Sequence, residues 1–251
     1  MTFHPLLFLL LLGHVIGDFY TQTNKTPEEK DSDKQGTRKN WLELHSVRYT
    51  LATAAVLFFV VQFSLTLVNI FLIVSILHFE LDSIDWSYCK KPFIIKQILH
   101  IAIIFSIWIM FNDDIAIRTF IVEINDNVFY RISLLPQNPY WTLLGVLVLL
   151  RPVGDLIKSN EIWDFRSIST KVNPNAGRMI GYLERLIVFF LLLNNALGTI
   201  GFIAAAKAVI RYSEISREEK EIQERIEYFL IGTLLSMVCT FAVYLLVQVV
   251  S

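Results

Sequence analysis

Long apolar segments, separated by shorter polar stretches, restrict the fold of this chain more than any other feature of its sequence. Hydrophobic residues make up 54% and charged residues 18%, whereas soluble domains average about 45–50% apolar and about 25% charged residues. A bilayer core about 30 Å thick requires roughly 20 apolar residues in a helix, and fewer where a segment is buried among other helices. The segments are 5–20, 46–63, 65–82, 94–111, 140–157, 179–194, 198–212 and 228–250. The sequence therefore predicts an all-α fold, a polytopic transmembrane helical bundle of about six spanning helices plus a re-entrant helical hairpin.

Composition and charge exclude several other classes of protein. The 22 Lys and Arg residues nearly balance the 23 Asp and Glu residues, and a formal net charge of -1 predicts no nucleic acid partner. The two cysteines, Cys89 and Cys239, have no metal-ligand spacing and indicate no disulfide framework. We expect segment 5–20 to be a membrane helix and not a cleaved signal peptide, because no Lys or Arg precedes it and it contains His14 and Asp18. The lipid bilayer is therefore the first partner that the sequence predicts.

The distribution of charged residues predicts three regions and an orientation. The regions are an N-terminal membrane module (1–111) with a His/Asp cluster, an extracytoplasmic loop (112–139) and a C-terminal membrane module (140–251) with the hairpin. Residues 194–198 (Asn-Asn-Ala-Leu-Gly) interrupt two short apolar segments and predict that this pair turns back to the side it left. The stretches that then share one side, and hold nearly every basic residue, are 21–45, 83–96, 151–178 and 213–225. Because cytoplasmic loops carry the excess of Lys and Arg, we expect a cytoplasmic-membrane protein with this basic side in the cytoplasm and both termini outside.

Four of the five histidines lie in or beside apolar segments, close to the predicted cytoplasmic ends. His14 and Asp18 are four residues apart, and so are His78 and Asp82. On a helix this spacing places both side chains on one face, one turn apart. Imidazole and carboxylate ligands suit Zn, Mn or Fe, and paired metal ions hydrolyse phosphoesters. The candidate metal ligands are His14, Asp18, His45, His78 and Asp82, and His100 is a further ligand or a catalytic general acid.

The same pattern has a structural interpretation, in which each His-Asp pair is a polar contact that helps helices pack. Ionisable residues inside a membrane segment cost about 2.5–3.5 kcal/mol each on insertion scales, and this cost favours a functional role for such a cluster. Three accessory polar residues lie near it in the sequence pattern: Gln22, Tyr49 and Gln97. Gly13 and Gly17 would allow another helix to approach the first segment closely.

A second set of polar residues lies in the last three apolar segments: Glu184, Arg185, Lys207, Arg211 and Glu227. These residues form either a structural ion-pair network, which neutralises charges that would otherwise be stranded, or an anion clamp for phosphate oxygens beside the metal cluster. The basic residues of the predicted cytoplasmic face also have two interpretations. They either reflect only the excess of Lys and Arg that is usual on the cytoplasmic side, or they form a binding surface for an anionic lipid or a phosphate-bearing substrate.

Four motifs follow one another through the N-terminal part of the chain: GHVIGDFYTQTNKTPEEK (13–30), WLELH (41–45), ILHFELD (76–82) and QILH (97–100). Together they resemble a bacterial family of polytopic membrane proteins known as domain of unknown function 3307, and GRMIGYLER (177–185) resembles the C-terminal region of many members. The resemblance implies a bacterial inner-membrane protein whose activity is not established. It carries the family's pattern over to His14, Asp18, Gln22, His45, His78, Asp82, Gln97 and His100. One position departs from the pattern, because Lys96 stands where members often have Asp.

Three functions are open from the sequence. The first is a membrane-embedded metal-dependent hydrolase of a phosphoester or lipid-linked substrate at the cytoplasmic face. More distantly, the His-Asp pairs resemble those of membrane-bound metal-dependent hydrolases and zinc-dependent phospholipases C. The second is a non-enzymatic transporter or ion-binding membrane protein, for which a re-entrant hairpin with a polar tip is also typical. The third is a membrane scaffold in which the polar cluster is structural.

Overall fold

The computed structural model describes residues 4–21, 35–86, 88–116, 139–159, 174–215 and 220–250. Helices account for most of these residues, and no strand occurs in the ranges given. The helices are α1 (Pro5–Val15), α2 (Gln35–Val60), α3 (Leu65–Ser83), α4 (Pro92–Phe111), α5 (Pro139–Leu150), α6 (Pro152–Lys158), α7 (Pro174–Leu193), α8 (Leu197–Ile215) and α9 (Lys220–Val250). The predicted all-α fold is confirmed.

Four helical stretches in the described part of the chain are long and apolar enough to cross a membrane. They are Leu65–Ser83, Pro92–Asp114, Pro139–Lys158 and Leu230–Val250, and the shorter apolar helices are Pro5–Tyr20 and Leu197–Lys207. Large apolar side chains such as Leu65, Ile109 and Leu234 are exposed on these helices. A membrane protein exposes such residues to lipid, so the helices fit the predicted class. Length and composition support four crossings, whereas the sequence predicts about six.

The chain folds as two compact units, Met1–Tyr140 and Trp141–Ser251. In the first unit, α1 packs against α2 and α4, and α3 packs against the same two helices. Glycine permits the closest of these approaches. A Cβ atom on Gly17 would lie 2.6 Å from the ring of Tyr49 and 3.2 Å from its Cα, and one on Gly13 would lie 3.5 Å from Thr53. Gly17, and not Gly13, therefore limits how closely α2 approaches the end of the first helix.

The end of the first helix departs from regular α geometry. After α1, residues Ile16–Tyr20 form a π-helical turn, in which the backbone N–H of Thr21 donates to the carbonyl of Ile16 at 3.1 Å. Single π-helical turns inside α-helices are rare and frequently occur at functional sites. The turn contains Asp18, whereas the matching Asp82 lies in the regular helix α3. Two identical spacings in the sequence thus have different backbones in the structure.

In the second unit, α7 and α8 form an antiparallel hairpin. The turn between them holds Asn195 in a left-handed conformation, with φ of 55°. Val188 and Leu192 pack with Ile200 near the turn, and further along the pair Glu184 faces Lys207. The break in the helix thus lies before Leu197, and Gly198 belongs to the first turn of α8. Re-entry of this hairpin into a membrane remains a prediction.

Candidate metal centre

The four helices of the first unit bring polar side chains together at one end. Those of α3 come from its last turns and those of α4 from its first turns, so adjacent helix ends meet. The side chains that meet there are His14 from α1, Asp18 from the π-helical turn, His45 from α2, His78 and Asp82 from α3, and Lys96, Gln97 and His100 from α4. All the candidate metal ligands, and the candidate catalytic His100, lie in this cluster.

Asp82 contacts side chains from three helices. Its Oδ2 atom lies 3.2 Å from Nε2 of His45 and 3.3 Å from Nε2 of His78. Its Oδ1 atom lies 3.6 Å from Nζ of Lys96 and 3.9 Å from Nε2 of His100. The two carboxylate oxygens therefore face different partners.

Asp18, in the π-helical turn that follows α1, belongs to the same cluster. Its Oδ1 atom lies 3.2 Å from Nε2 of His45, so this imidazole touches both aspartates. Its Oδ2 atom accepts a hydrogen bond of 2.7 Å from Nε2 of Gln97. The other end of the same amide, Oε1 of Gln97, lies 3.1 Å from Nε2 of His14. Gln97 thus connects the His and the Asp of the first pair.

The imidazole rings pack against one another and against Tyr49. The rings of Tyr49 and His78 are parallel to within 3°, with centroids 3.4 Å apart. His100 also stacks on His78, at 4.4 Å, and its ring centroid lies 5.1 Å from that of His14. Stacking restricts the rotation of an imidazole, so these contacts fix where the nitrogens of His78 point.

The cluster is buried. The four histidines are 2–4% exposed and Asp18 is 5% exposed. Neither ring nitrogen of His78 or of His100 makes a hydrogen bond with the described residues. A buried polar atom without a hydrogen bond is costly, and these nitrogens are of the kind that bind a metal ion.

The spacing of the ligand atoms fits a metal ion. Ligands about 2.0–2.2 Å from a tetrahedral ion lie roughly 3.3–3.6 Å from each other. From Asp18 through His45 and Asp82 to His78, successive ligand atoms are 3.2, 3.2 and 3.3 Å apart. All four atoms lie within 4.8 Å of one another, and His14, His78 and His100 form a second such group. The His/Asp cluster is therefore able to hold a metal ion.

Comparison with known families agrees with the sequence motifs. Residues 6–128 match the family model described as Protein of unknown function (DUF3307). This chain carries a DUF3307 domain. No curated protein and no solved structure matches the chain.

All the side chains of the His/Asp cluster lie inside the matched range of the DUF3307 domain. Lys96 forms an ion pair with Asp82. It precedes His100 by one helical turn, and this spacing is the signal in the sequence that relates it to the site. The stacking of Tyr49 on His78 has no comparable signal, because it depends on how α2 packs against α3. Gln22 lies outside the described residues.

The second polar set lies in the second unit, beyond the residues that match the DUF3307 domain. Glu184 pairs with Lys207 at 2.5 Å, and Nζ of Lys207 lies 3.4 Å from the hydroxyl of Thr233. Arg185 donates to the carbonyl of Leu149 at 2.7 Å and to the hydroxyl of Ser236 at 3.3 Å. Both interpretations of this set, a structural ion-pair network and an anion clamp, remain predictions. The side chains of Arg211 and Glu227 lie outside the described residues, so their roles remain predictions.

Proposed function

We propose that the DUF3307 domain of this chain is a metal-dependent hydrolase that acts on a phosphoester or lipid-linked substrate at the cytoplasmic face of the membrane. The observation that carries the proposal is the convergence of four imidazoles and two carboxylates from four helices at ligand spacing. Asp18, His45, His78 and Asp82 would bind a divalent ion such as Zn, Mn or Fe. His14 and His100 would complete the centre.

The ligand set supports hydrolysis because of the chemistry that such an ion supplies. A divalent ion held by imidazole and carboxylate acts as a Lewis acid toward a phosphoryl group and provides a nucleophile at neutral pH. The surrounding residues would hold the ligands in place, since His45 contacts both aspartates and Tyr49 stacks on His78. His100, beside Oδ1 of Asp82, would serve as a ligand or as the general acid.

Lys96 supports an anionic substrate. Its ammonium group lies 3.6 Å from Asp82, and its side chain is 28% exposed whereas that of Asp82 is 11% exposed. A cation that is both accessible and adjacent to the ligands is suited to a phosphate oxygen that approaches the centre. Lys96 would therefore bind the substrate phosphate and release Asp82 to the metal ion.

The position of the cluster along its helices supports a substrate from the membrane surface. His78 and Asp82 lie near the end of one candidate span, and His100 lies near the beginning of the next. The link between these spans carries Lys90 and Lys91. A site at the end of a span lies near the lipid headgroups, and basic links are typical of the cytoplasmic side. A lipid-linked phosphate would reach such a site without leaving the bilayer.

Turnover by the purified protein in liposomes tests the proposal. The substrates are bis(p-nitrophenyl) phosphate and a polyprenyl diphosphate, each with added Zn²⁺ or Mn²⁺ and each with a chelator. We expect metal-dependent turnover that falls by more than about 100-fold in Asp82→Asn, because a ligand is lost. Asp113→Asn is the matched control, since Asp113 lies in the exposed turn after α4, and it should leave turnover unchanged.

The burial of the cluster favours a second candidate function, a non-enzymatic ion-binding or transport protein. Each of the four histidines is at most 4% exposed, and intramembrane ionisable residues that face the bundle interior often mark ion pathways. Ion flux into the same liposomes distinguishes the two functions. Zn²⁺ or Mn²⁺ flux that requires Asp82, without turnover of either substrate, would contradict the hydrolase and support transport.

A further inference from the structure

We propose that the centre holds two metal ions, and that His14, His100 and Oδ1 of Asp82 form the second position. This inference rests on the proposed function, in which Asp18, His45, His78 and Asp82 hold the first ion. It is carried by the buried imidazoles of His14 and His100, whose ligand nitrogens lie within 4.8 Å of each other and of a nitrogen of His78. The neutral imidazole of His78 has one lone pair, which the first ion takes, so His14 and His100 remain as ligands for a second ion.

The hydrogen bonds of Gln97 determine which nitrogen of His14 is a ligand. The amide nitrogen of Gln97 must donate to Asp18, because a carboxylate only accepts. The amide oxygen therefore faces His14 and accepts from its Nε2–H group. A neutral imidazole protonated at Nε2 has its lone pair on Nδ1. That atom of His14 is buried and makes no hydrogen bond with any described residue, so it is the nitrogen that His14 offers to a metal ion.

Gln97 has the role that second partners of metal-binding histidines usually have. A histidine ligand almost always donates its other N–H to a carboxylate, a carbonyl or water, which fixes its tautomer and orientation. Gln97 supplies this acceptor to His14 and is itself fixed by Asp18. It is a positioning residue and not a ligand.

Two neutral histidines and a carboxylate are a known ligand set for a divalent ion with one open position. His100 lies beside both other members, because its Nε2 atom is 3.9 Å from Oδ1 of Asp82 and its ring centroid is 5.1 Å from that of His14. Its two ring nitrogens are buried, and no described residue forms a hydrogen bond with either. His100 thus has the capacity to bind a metal ion.

Asp82 connects the two positions. Its Oδ2 atom faces His45 and His78 of the first set, whereas its Oδ1 atom faces His100 of the second. A carboxylate with one oxygen toward each ion is suited to bridge a pair about 3.5–4 Å apart, the spacing of two-metal phosphoesterases. The second ion would take the place of the Lys96 ammonium group beside Oδ1.

Titration of the full-length, metal-free protein with Mn²⁺, followed by electron paramagnetic resonance, tests this inference. We expect two bound ions per chain and the spectrum of an exchange-coupled pair. His100→Ala should bind one ion with an uncoupled spectrum, and Gln97→Leu should weaken the second binding step by about 10–100-fold. The matched control is His4→Ala, because His4 packs on Trp108 away from the cluster and should keep two coupled ions.

The outcomes separate this inference from the proposed function. One ion per wild-type chain, unchanged by His100→Ala and lost in Asp18→Asn, would contradict the second position and leave the first intact. The number of ions bound by the wild-type protein does not depend on whether any variant folds. A wild-type protein that binds no Mn²⁺ or Zn²⁺ would contradict the metal-dependent function itself.

Discussion

Gly17 shows how single residues position the His/Asp cluster. It lies one residue before Asp18, at the point where the π-helical turn passes Tyr49. Tyr49 in turn stacks on His78. Because Gly17 precedes Asp18 and Tyr49 stacks on His78, the contact between Gly17 and Tyr49 connects the backbone at Asp18 to the side chain of His78.

Gly17→Ala should destabilise the protein by about 1–3 kcal/mol, because the added methyl group overpacks the interface between α1 and α2. Its Cβ would lie 2.6 Å from the Tyr49 ring and 3.2 Å from the Tyr49 backbone, so the ring cannot relieve the clash by itself. The measurement is thermal unfolding in detergent. Gly201→Ala, where nothing lies within 4 Å of the new Cβ, is the control and should retain or slightly increase stability. Equal melting temperatures for the two variants would contradict this packing.

The sequence predicts most of the centre at this scale, because its members are ionisable residues in apolar segments. His14, Asp18, His45, His78, Asp82 and His100 all follow from that reasoning. The π-helical turn at Ile16–Tyr20 does not, since both His-Asp pairs have the same spacing in the sequence. In the structure, Gln97 from another helix contacts both His14 and Asp18.

Among the helices, Arg185 supplies a hydrogen-bond donor at the break between α5 and α6. α5 ends at Leu150 and α6 begins at Pro152, so carbonyls of the last turn of α5 need partners from elsewhere. Nε of Arg185 donates to one of them, at Leu149, and Nη1 donates to Ser236 of α9. One buried guanidinium therefore joins α5, α7 and α9.

Replacement of Arg185 should destabilise the second unit and leave the metal centre intact. Arg185→Met leaves the carbonyl of Leu149 without its donor, which costs about 1–3 kcal/mol. Arg185→Lys keeps the charge but lacks the planar fork that reaches two acceptors at once, so it should restore little of the loss. Chemical denaturation and metal analysis measure the two effects. Full stability in Arg185→Lys would show that charge, and not the two hydrogen bonds, is what matters.

Helix boundaries are less predictable than helix existence. α2 begins at Gln35 and α9 at Lys220, whereas the apolar segments begin at residues 46 and 228. An apolar segment marks the part of a helix in contact with lipid or core, and the helix continues beyond it through polar residues. In the hairpin, the left-handed residue is Asn195 and not Gly198, because asparagine tolerates that conformation better than other non-glycine residues.

For the whole molecule, the distribution of Lys and Arg predicts an orientation in the membrane. The link between α3 and α4 should face the cytoplasm, and the stretch 112–139 should face outward. The native Cys89 lies in that link and is partly exposed. It provides a natural probe of sidedness.

A membrane-impermeant maleimide should label Cys89 only after the cells are permeabilised. The experiment uses Cys239→Ser, so that Cys89 is the remaining thiol. In the reciprocal variant, Cys89→Ser with Cys239→Ser and Asp126→Cys, the new thiol should react in intact cells. The reverse labelling pattern would contradict the predicted orientation, and with it a substrate from the cytoplasmic face.

The central claim is that this buried cluster binds a metal ion through histidine and aspartate. X-ray absorption at the Zn edge of the purified protein tests it most directly, with Asp18→Asn plus Asp82→Asn as the variant and His4→Ala as the control. We predict N and O ligands at about 2.0–2.2 Å with the outer-shell pattern of imidazole, present in the wild type and the control and lost in the folded double variant. A wild-type protein that retains no Zn²⁺ after dialysis, or one whose Zn²⁺ spectrum is unchanged by the double substitution, would contradict the account.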